Sequence, residues 1–353
     1  MPTYAYPSST VVRDTPTMAT LQSVLNQQDI PQSFRECMLL GYLLNAAKQP
    51  GLEIQGTDLQ MPSVGVSPKI KRMRGPYAEV FVNFESGVTA QEFRGLQSLS
   101  TAIGEGPTTA LTPWAYYTCY VAISHTQKIE NSGGNKRLDI LMSNQNKEIR
   151  GLCRRMEGHL WGTNTDIVAG TQNQFAGIGH RIAISPSTGT NEGLSRSTFT
   201  PWRNATTTSV GSFASGGLDA MRAMILGISG VNQREKPHLA MTTTTVQGYC
   251  YKALEGIHRV VGTLGNTDLG TSGLPVYMGI PIAGTDDCTA GYIYYMNFDY
   301  LWSLIHADAE WSEHIPGEPA NQLVDGQKRY VFGAAPLMIS RLERFGVLSG
   351  ITA

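Results

Sequence analysis

KRLDILMSNQNKEIRGLCRRMEGHLW, running from Lys136 to Trp161, is the stretch whose reading decides the fold. Leu138, Leu141, Ile149, Leu152, Met156 and Leu160 fall on one stripe at helical spacing. Lys147, Arg150 and Arg154 fall on another face at i, i+3 and i+7, and Gly158 and Gly162 mark the end. The pattern predicts one long amphipathic helix over 136–161.

Upstream of it, residues 1–51 read as an arm with two helices. Thr15-Pro16 places an N-cap before a first-turn proline, with Met18, Leu21 and Leu25 on one face. Ser33 and Glu36 make a capping box for a second helix that Pro50-Gly51 closes. A helical arm with no core of its own is either a mobile tail or a segment that docks on a neighbour. Residues 52–118 change character. Their stretch 61–76, MPSVGVSPKIKRMRGP, interleaves prolines with Lys69, Lys71, Arg72 and Arg74 and reads as a basic loop. Tyr77–Phe84 alternates with Val80, Val82 and Phe84 on one side, and a second strand-rich run covers Trp114–Ile123. Two extended runs joined by a long Gly/Pro-rich excursion predict a protruding β-hairpin whose length implies function or a partner.

Downstream, residues 163–209 are rich in Gly, Ser, Thr and Asn and read as a link. From Ser209 the pattern becomes α/β. It has a helix over Leu218–Ile228, a strand over Pro237–Thr242, a helix over Val246–Val260 and strands near Val276–Ile282 and Tyr292–Asn297. Tyr330–Leu342 reads as a closing strand.

Composition narrows the function classes. Lys+Arg of 27 against Asp+Glu of 28 leaves a formal net charge of -1, so nucleic acid contact requires a local patch. Charged residues are only 16% of the chain, against about 25% in an ordinary soluble domain, which suits a surface buried against copies of itself. Cys37, Cys119, Cys153, Cys250 and Cys288 are scattered, as in a protein of a reducing cytoplasm, with no CxxC pair for zinc. The N-terminus carries no secretion signal, and the apolar run Cys37–Leu44 is too short to cross a bilayer, so no membrane contact is expected.

Catalytic motifs are sparse. The seven histidines are isolated, with no HExxH pair, so no metal and no cofactor are expected. Gly177-Ile-Gly-His-Arg-Ile182 lacks the third glycine of a dinucleotide loop. Gly193-Leu-Ser-Arg-Ser197 matches a nucleophile elbow for three positions and lacks its closing glycine. Asp286-Asp287 reads as turn chemistry sooner than as a carboxylate pair. The chain is expected not to be an enzyme; a hydrolase using Ser195 or Asp286 is the alternative from another class.

The order of parts resembles the Hong Kong 97-type fold of tailed-bacteriophage major capsid proteins. Ile129-Glu-Asn-Ser-Gly-Gly-Asn135 is similar to the entry to that family's spine helix. Gly193-Leu-Ser-Arg-Ser-Thr-Phe-Thr-Pro-Trp-Arg-Asn204 is similar to the segment that follows it. Tyr277-Met-Gly-Ile-Pro-Ile282 with Gly291-Tyr-Ile-Tyr-Tyr-Met-Asn297 resembles its late strand pair. The resemblance covers nearly the whole chain and implies an α+β fold in five parts. These are an N-terminal arm (1–51), an extended β-hairpin loop (52–118), a peripheral domain (119–209) with spine helix 136–161, an axial α/β domain (210–305) and a return to the peripheral domain (306–353). It implies a self-assembling virion protein, made and assembled in the host cytoplasm, that forms pentamers and hexamers of an icosahedral shell around double-stranded DNA. The expected partners are its own copies, a scaffolding protein (or a cleaved scaffolding segment), portal and decoration proteins, and DNA bound without sequence preference. An encapsulin-like nanocompartment shares the fold and is the nearest alternative, although encapsulins have a shorter arm.

Two surfaces follow as expectations. Lys69, Lys71, Arg72 and Arg74 form either a contact with an acidic patch on an adjacent subunit or a solvated loop. The stripe Lys147, Arg150 and Arg154 is either a solvated helix face or a surface that meets phosphates of packaged DNA.

Overall fold

The computed structural model describes residues 39–40, 43, 69–84, 107–124, 140–163, 175–229, 235–258, 274–308, 312–314, 326–334 and 337–353. Most of the expected arm, the excursion between the two hairpin strands and residues 136–139 lie outside these. The chain divides into two compact units.

In the first unit, β4 (Tyr116–Ser124), β14 (Ser312–His314) and β15 (Gly326–Ala334) form a sheet in the order β14–β15–β4. β14 and β15 are antiparallel, with Ser312 opposite Phe332 and His314 opposite Tyr330. The long helix α1 (Ile140–Trp161) begins in this unit and runs on into the second.

The second unit is built on a six-stranded sheet. Its order is β10 (Val276–Tyr277), β11 (Ile280–Gly284), β9 (Leu239–Thr242), β12 (Ile293–Met296), β17 (Gly346–Leu348) and β7 (Ala205–Thr207). β9, apolar up to its closing Thr242, and β12 have every residue buried, the signature of strands covered on both faces. On one face Ile282, Ile293, Tyr295 and Leu348 pack with Met221, Met224, Ile225 and Ile228 of α3 (Leu218–Ser229) and Val246 and Cys250 of α4 (Thr244–His258). Tyr294 points the other way, with its ring 5.9 Å from that of Trp161 at the end of α1. The β10–β11 turn is the two-residue Met278-Gly279, both with positive φ (52° and 82°), the geometry a tight hairpin needs. A π-helical turn over Phe213–Gly217 leads into α3, and Gly217 is required there because a Cβ would lie 2.4 Å from the Phe213 ring.

Around this sheet lie smaller ones. β1 (Lys69–Met73) pairs in parallel with β13 (Leu301–His306), which pairs antiparallel with β16 (Leu337–Ile339). β2 (Tyr77–Val82) forms an antiparallel hairpin with β3 (Thr108–Pro113), in register from Tyr77–Pro113 to Val82–Thr108, and not with the expected run Trp114–Ile123, most of which is β4 in the sheet with β14 and β15. After the short helix α2 (Ile178–Arg181), β5 (Thr190–Asn191) and β6 (Leu194–Ser195) close around Glu192-Gly193, and β8 (Gly211–Ser212) pairs with β18 (Ile351–Thr352).

Three further elements differ from the sequence reading. The basic stretch at 69–74 is strand β1 and the start of the following turn, because β13, remote in sequence, supplies its hydrogen-bond ladder. The closing run 330–342 is divided between β15 and β16, which belong to different sheets. The stretch 175–209 is packed where described: Trp202, Arg181, Arg196, Asn191 and Glu192 are all buried.

Candidate functional site

On β1, side chains alternate, and Lys69, Lys71, Arg72 and the following Arg74 are all exposed. Lys69 Nζ lies 3.9 Å from Asp299 Oδ1, and Arg74 Nε lies 3.5 Å from Asp308 Oδ1. The Lys71 ammonium sits 4.8 Å from the centroid of the Trp302 ring. Ion pairs with both partners in solvent contribute only about 0–1 kcal/mol. The ion pairs of Lys69 and Arg74 are therefore weak holds on their own chain.

Along α1 the faces separate as the spacing requires. Leu152, Cys153, Met156, Leu160 and Trp161 are buried, while Lys147 and Arg154 are exposed. The side chain of Arg150 lies outside the described residues. Inside the buried stripe sits an acid that sequence reading missed. Glu157 Oε1 accepts the Trp161 indole N–H at 2.8 Å and the Leu39 amide N–H at 3.3 Å; Oε2 accepts the Leu40 amide at 2.8 Å. Burial raises its pKa above the ordinary value, the three N–H donors pull it back down, and the nearby Asp287 charge raises it. The i, i+4 series Cys153, Glu157, Trp161 was the available signal.

The segment 175–204 is organised by buried polar side chains. Arg181 forms a salt bridge with Glu192 in which both side chains are fully buried. Glu192 Oε1 also accepts the Ile339 amide at 3.1 Å, and its carbonyl accepts the Leu111 amide at 2.9 Å. One residue thus ties the β5–β6 turn to β16 and β3, at a φ of 54°. Arg196 Nη2 donates to the carbonyls of His180 and Arg181, both at 2.8 Å. The Trp202 indole donates to the Asn191 carbonyl at 3.0 Å. Asn204 exchanges two hydrogen bonds with the backbone of Ala183. The residues quoted for the family resemblance, Arg196, Trp202 and Asn204, are therefore the ones that pack this segment.

The catalytic alternatives gain nothing from the geometry. Ser195 Oγ lies 2.8 Å from Ser197 Oγ, a pairing of two hydroxyls that supplies no general base. Asp286 lies in the turn after β11 and accepts the Thr244 hydroxyl at 3.1 Å, beside the first turn of α4. His159 Nδ1 is 2.9 Å from the Tyr117 hydroxyl, and His238 Nδ1 accepts the Phe298 amide at 3.2 Å. Among the described residues no three His, Cys, Asp or Glu side chains are grouped as a metal site, and no helix is long and apolar enough to cross a membrane.

The other feature is apolar. The β2–β3 hairpin buries Ala78, Val80, Ala110 and Thr112 on one face and leaves Tyr77, Phe81 and Leu111 exposed on the other. Sequence alternation showed that the strand has two faces but not which one is covered.

Solved structures of shell proteins share this architecture. The capsid of an empty GTA particle matches with a TM-score of 0.57 at 12% identity, covering 92% of this chain and 94% of the other. The capsid asymmetric unit of cyanophage A-1(L) matches at 0.55 and 17% identity, over 83% and 93% of the two chains. The holo-SrpI encapsulin complex from Synechococcus elongatus matches at 0.52 and 10% identity, over 94% and 95%. No family model and no curated protein matches the sequence. The chain has the α+β fold of phage capsid proteins, in agreement with the Hong Kong 97-type resemblance; encapsulin shells share it.

Proposed function

We propose that this chain is the major capsid protein of a tailed bacteriophage, assembling as pentamers and hexamers of an icosahedral shell around double-stranded DNA. The observation that carries this reading is the extent of the structural match, more than nine-tenths of both chains for the capsid of the empty GTA particle. The role is structural and not enzymatic, and the site of action is the virion, with assembly in the host cytoplasm. A shell subunit works through heterologous contacts that symmetry closes, each weak and many per copy.

In this reading the arm and the extended hairpin reach neighbouring copies, and the six-stranded sheet with α3 and α4 forms the axial domain. Lys69, Lys71, Arg72 and Arg74, all exposed, are the inter-subunit contact candidates. Lys147, Arg150 and Arg154 are the DNA-facing candidates, holding phosphates without reading sequence. Scaffolding, portal and decoration proteins complete the partner set.

An encapsulin-like nanocompartment is the second reading, favoured by the match over 94% of this chain to an encapsulin. Particles isolated from the producing cells separate the two. The capsid reading predicts nuclease-resistant double-stranded DNA inside shells of this chain. Shells that hold one enzyme and no DNA establish the nanocompartment instead.

A further inference from the structure

We propose that the junction between the six-stranded and three-stranded sheets is a clasp that protons open, with His238 as the residue that responds first. The inference goes beyond the shell reading and does not depend on it. β12 and β17 are antiparallel neighbours in the six-stranded sheet, and β13 and β16 are antiparallel neighbours in the three-stranded one. β12 runs into β13 through residues 297–300, and β16 runs into β17 through residues 340–345. A two-stranded ribbon therefore bends from one sheet into the other at these two crossings. The Ser340 amide donates to the Tyr300 carbonyl at 2.9 Å across the bend. Short crossings between packed elements are where a hinge places its change of φ and ψ.

The segment 235–238, which leads into β9, holds the bend. Asn297, fully buried, donates its side-chain amide to the carbonyls of Glu235 and Lys236 at 3.4 and 3.3 Å. The Phe298 amide donates to His238 Nδ1 at 3.2 Å. Glu235 Oε1 accepts the Tyr300 hydroxyl at 2.7 Å and Arg341 Nη1 at 3.0 Å, so one carboxylate touches both crossings. Arg344 Nε lies 2.6 Å from its other oxygen.

Two of these acceptors titrate. An imidazole nitrogen accepts only while it carries no proton, and a proton on Nδ1 would make it a donor facing the Phe298 N–H. Asp299 Oδ2 lies 3.8 Å from His238 Nε2, and Asp299 Oδ1 lies 3.9 Å from Lys69 Nζ of β1. Lys236 is close in sequence, and Glu235, Tyr300, Arg341, Glu343 and Arg344 form the charged network beside it. Burial lowers the His238 pKa from its ordinary 6.5, against the opposing pull of Asp299. The Phe298 bond is therefore intact above pH 6.5 and lost as pH falls through the lowered value. Glu235 is held below its ordinary 4.5, first by the Tyr300 hydroxyl and then by Arg341 and Arg344, so its bonds last into stronger acid.

Hydrogen exchange of the full-length subunit, read by mass spectrometry and corrected for the intrinsic rate, tests this between about pH 7.5 and about pH 5. Exchange in residues 297–300 and 340–345 is expected to speed up at least about fivefold on acidification, with β9 and β12 unchanged. Its midpoint should coincide with the titration of His238, followed through exchange of the imidazole C2 hydrogen. His238→Gln offers an acceptor that does not titrate, and it is expected to remove the acceleration. No acceleration at the crossings, a midpoint apart from that of His238, or acceleration that persists in folded His238→Gln overturns the proposal. Should that variant not fold, the coincidence of the two midpoints in the wild type decides alone. Equal acceleration in β9 and β12 is unfolding of the whole sheet, and it also overturns the proposal.

Discussion

The carboxylate of Glu157 accepts the backbone N–H of Leu40 at 2.8 Å across 117 residues of sequence. With Leu39 and the Trp161 indole on its other oxygen, it holds the only described part of the expected arm against α1. Glu157→Ala leaves three N–H donors without their acceptor where Leu39, Leu40 and Trp161 are buried. The expected loss is about 2–4 kcal/mol of stability, read from urea unfolding, with new protease cleavage near residues 39–43.

The same carboxyl makes stability depend on pH. Burial lifts its folded pKa above the ordinary 4.5, so the folded chain holds the proton more tightly than the unfolded chain. Its contribution is full below pH 4.5 and is lost as pH rises through the raised folded value. Relative to Glu157→Gln, the wild type should therefore gain stability as pH falls from neutrality toward that range. Urea midpoints of both proteins across a pH series check this, and a constant difference contradicts it.

Arg181 and Glu192 are each buried with the other as ionic partner. Arg181→Met or Glu192→Gln alone is expected to cost about 3–5 kcal/mol, since each removes the salt-bridge partner of a buried charge. The double variant should lose much less than the sum of the two. A double-mutant cycle by chemical denaturation measures that coupling, and additive losses refute it.

How much was legible in the sequence follows from where each signal resides. Leu152, Met156 and Leu160 form a local stripe, so α1 was readable, and the alternation of 77–84 gave strand β2, but its partner is Thr108–Pro113 and not the more apolar run Trp114–Ile123. β1 was not readable, because its strand character comes from β13 and its own residues are mostly basic. The stretch 175–209 has the composition of a loop, yet Arg181, Glu192, Arg196 and Asn204 find their partners in the fold, and satisfied polar groups can be buried. Glu157 was hidden because a charge inside an apolar stripe reads as an interruption. The basic residues of β1 and α1 were visible from the start, but what they touch in a neighbour is not a property of one chain.

On β1, Lys69→Glu with Lys71→Glu is expected to leave subunit unfolding within about 1 kcal/mol of wild type, because the native pairs are solvent-exposed. The same reversal should lower the yield of assembled shells. Sedimentation of both proteins under identical conditions checks it, and unchanged shells remove these lysines from the interface.

For α1, replacing Lys147, Arg150 and Arg154 together by Gln should weaken DNA retention inside shells equally for all sequences. The slope of log affinity against log salt should shrink by about 0.9 for each phosphate no longer neutralised. Titration of retained DNA against salt reads this out, and an unchanged slope identifies the stripe as a solvated face.

The most direct test of the account is electron microscopy of the purified full-length protein, alone and with the scaffolding protein of the same source. Closed shells with fivefold and sixfold capsomers, built from this chain, are the predicted result. A strictly monomeric protein under every assembly condition contradicts it.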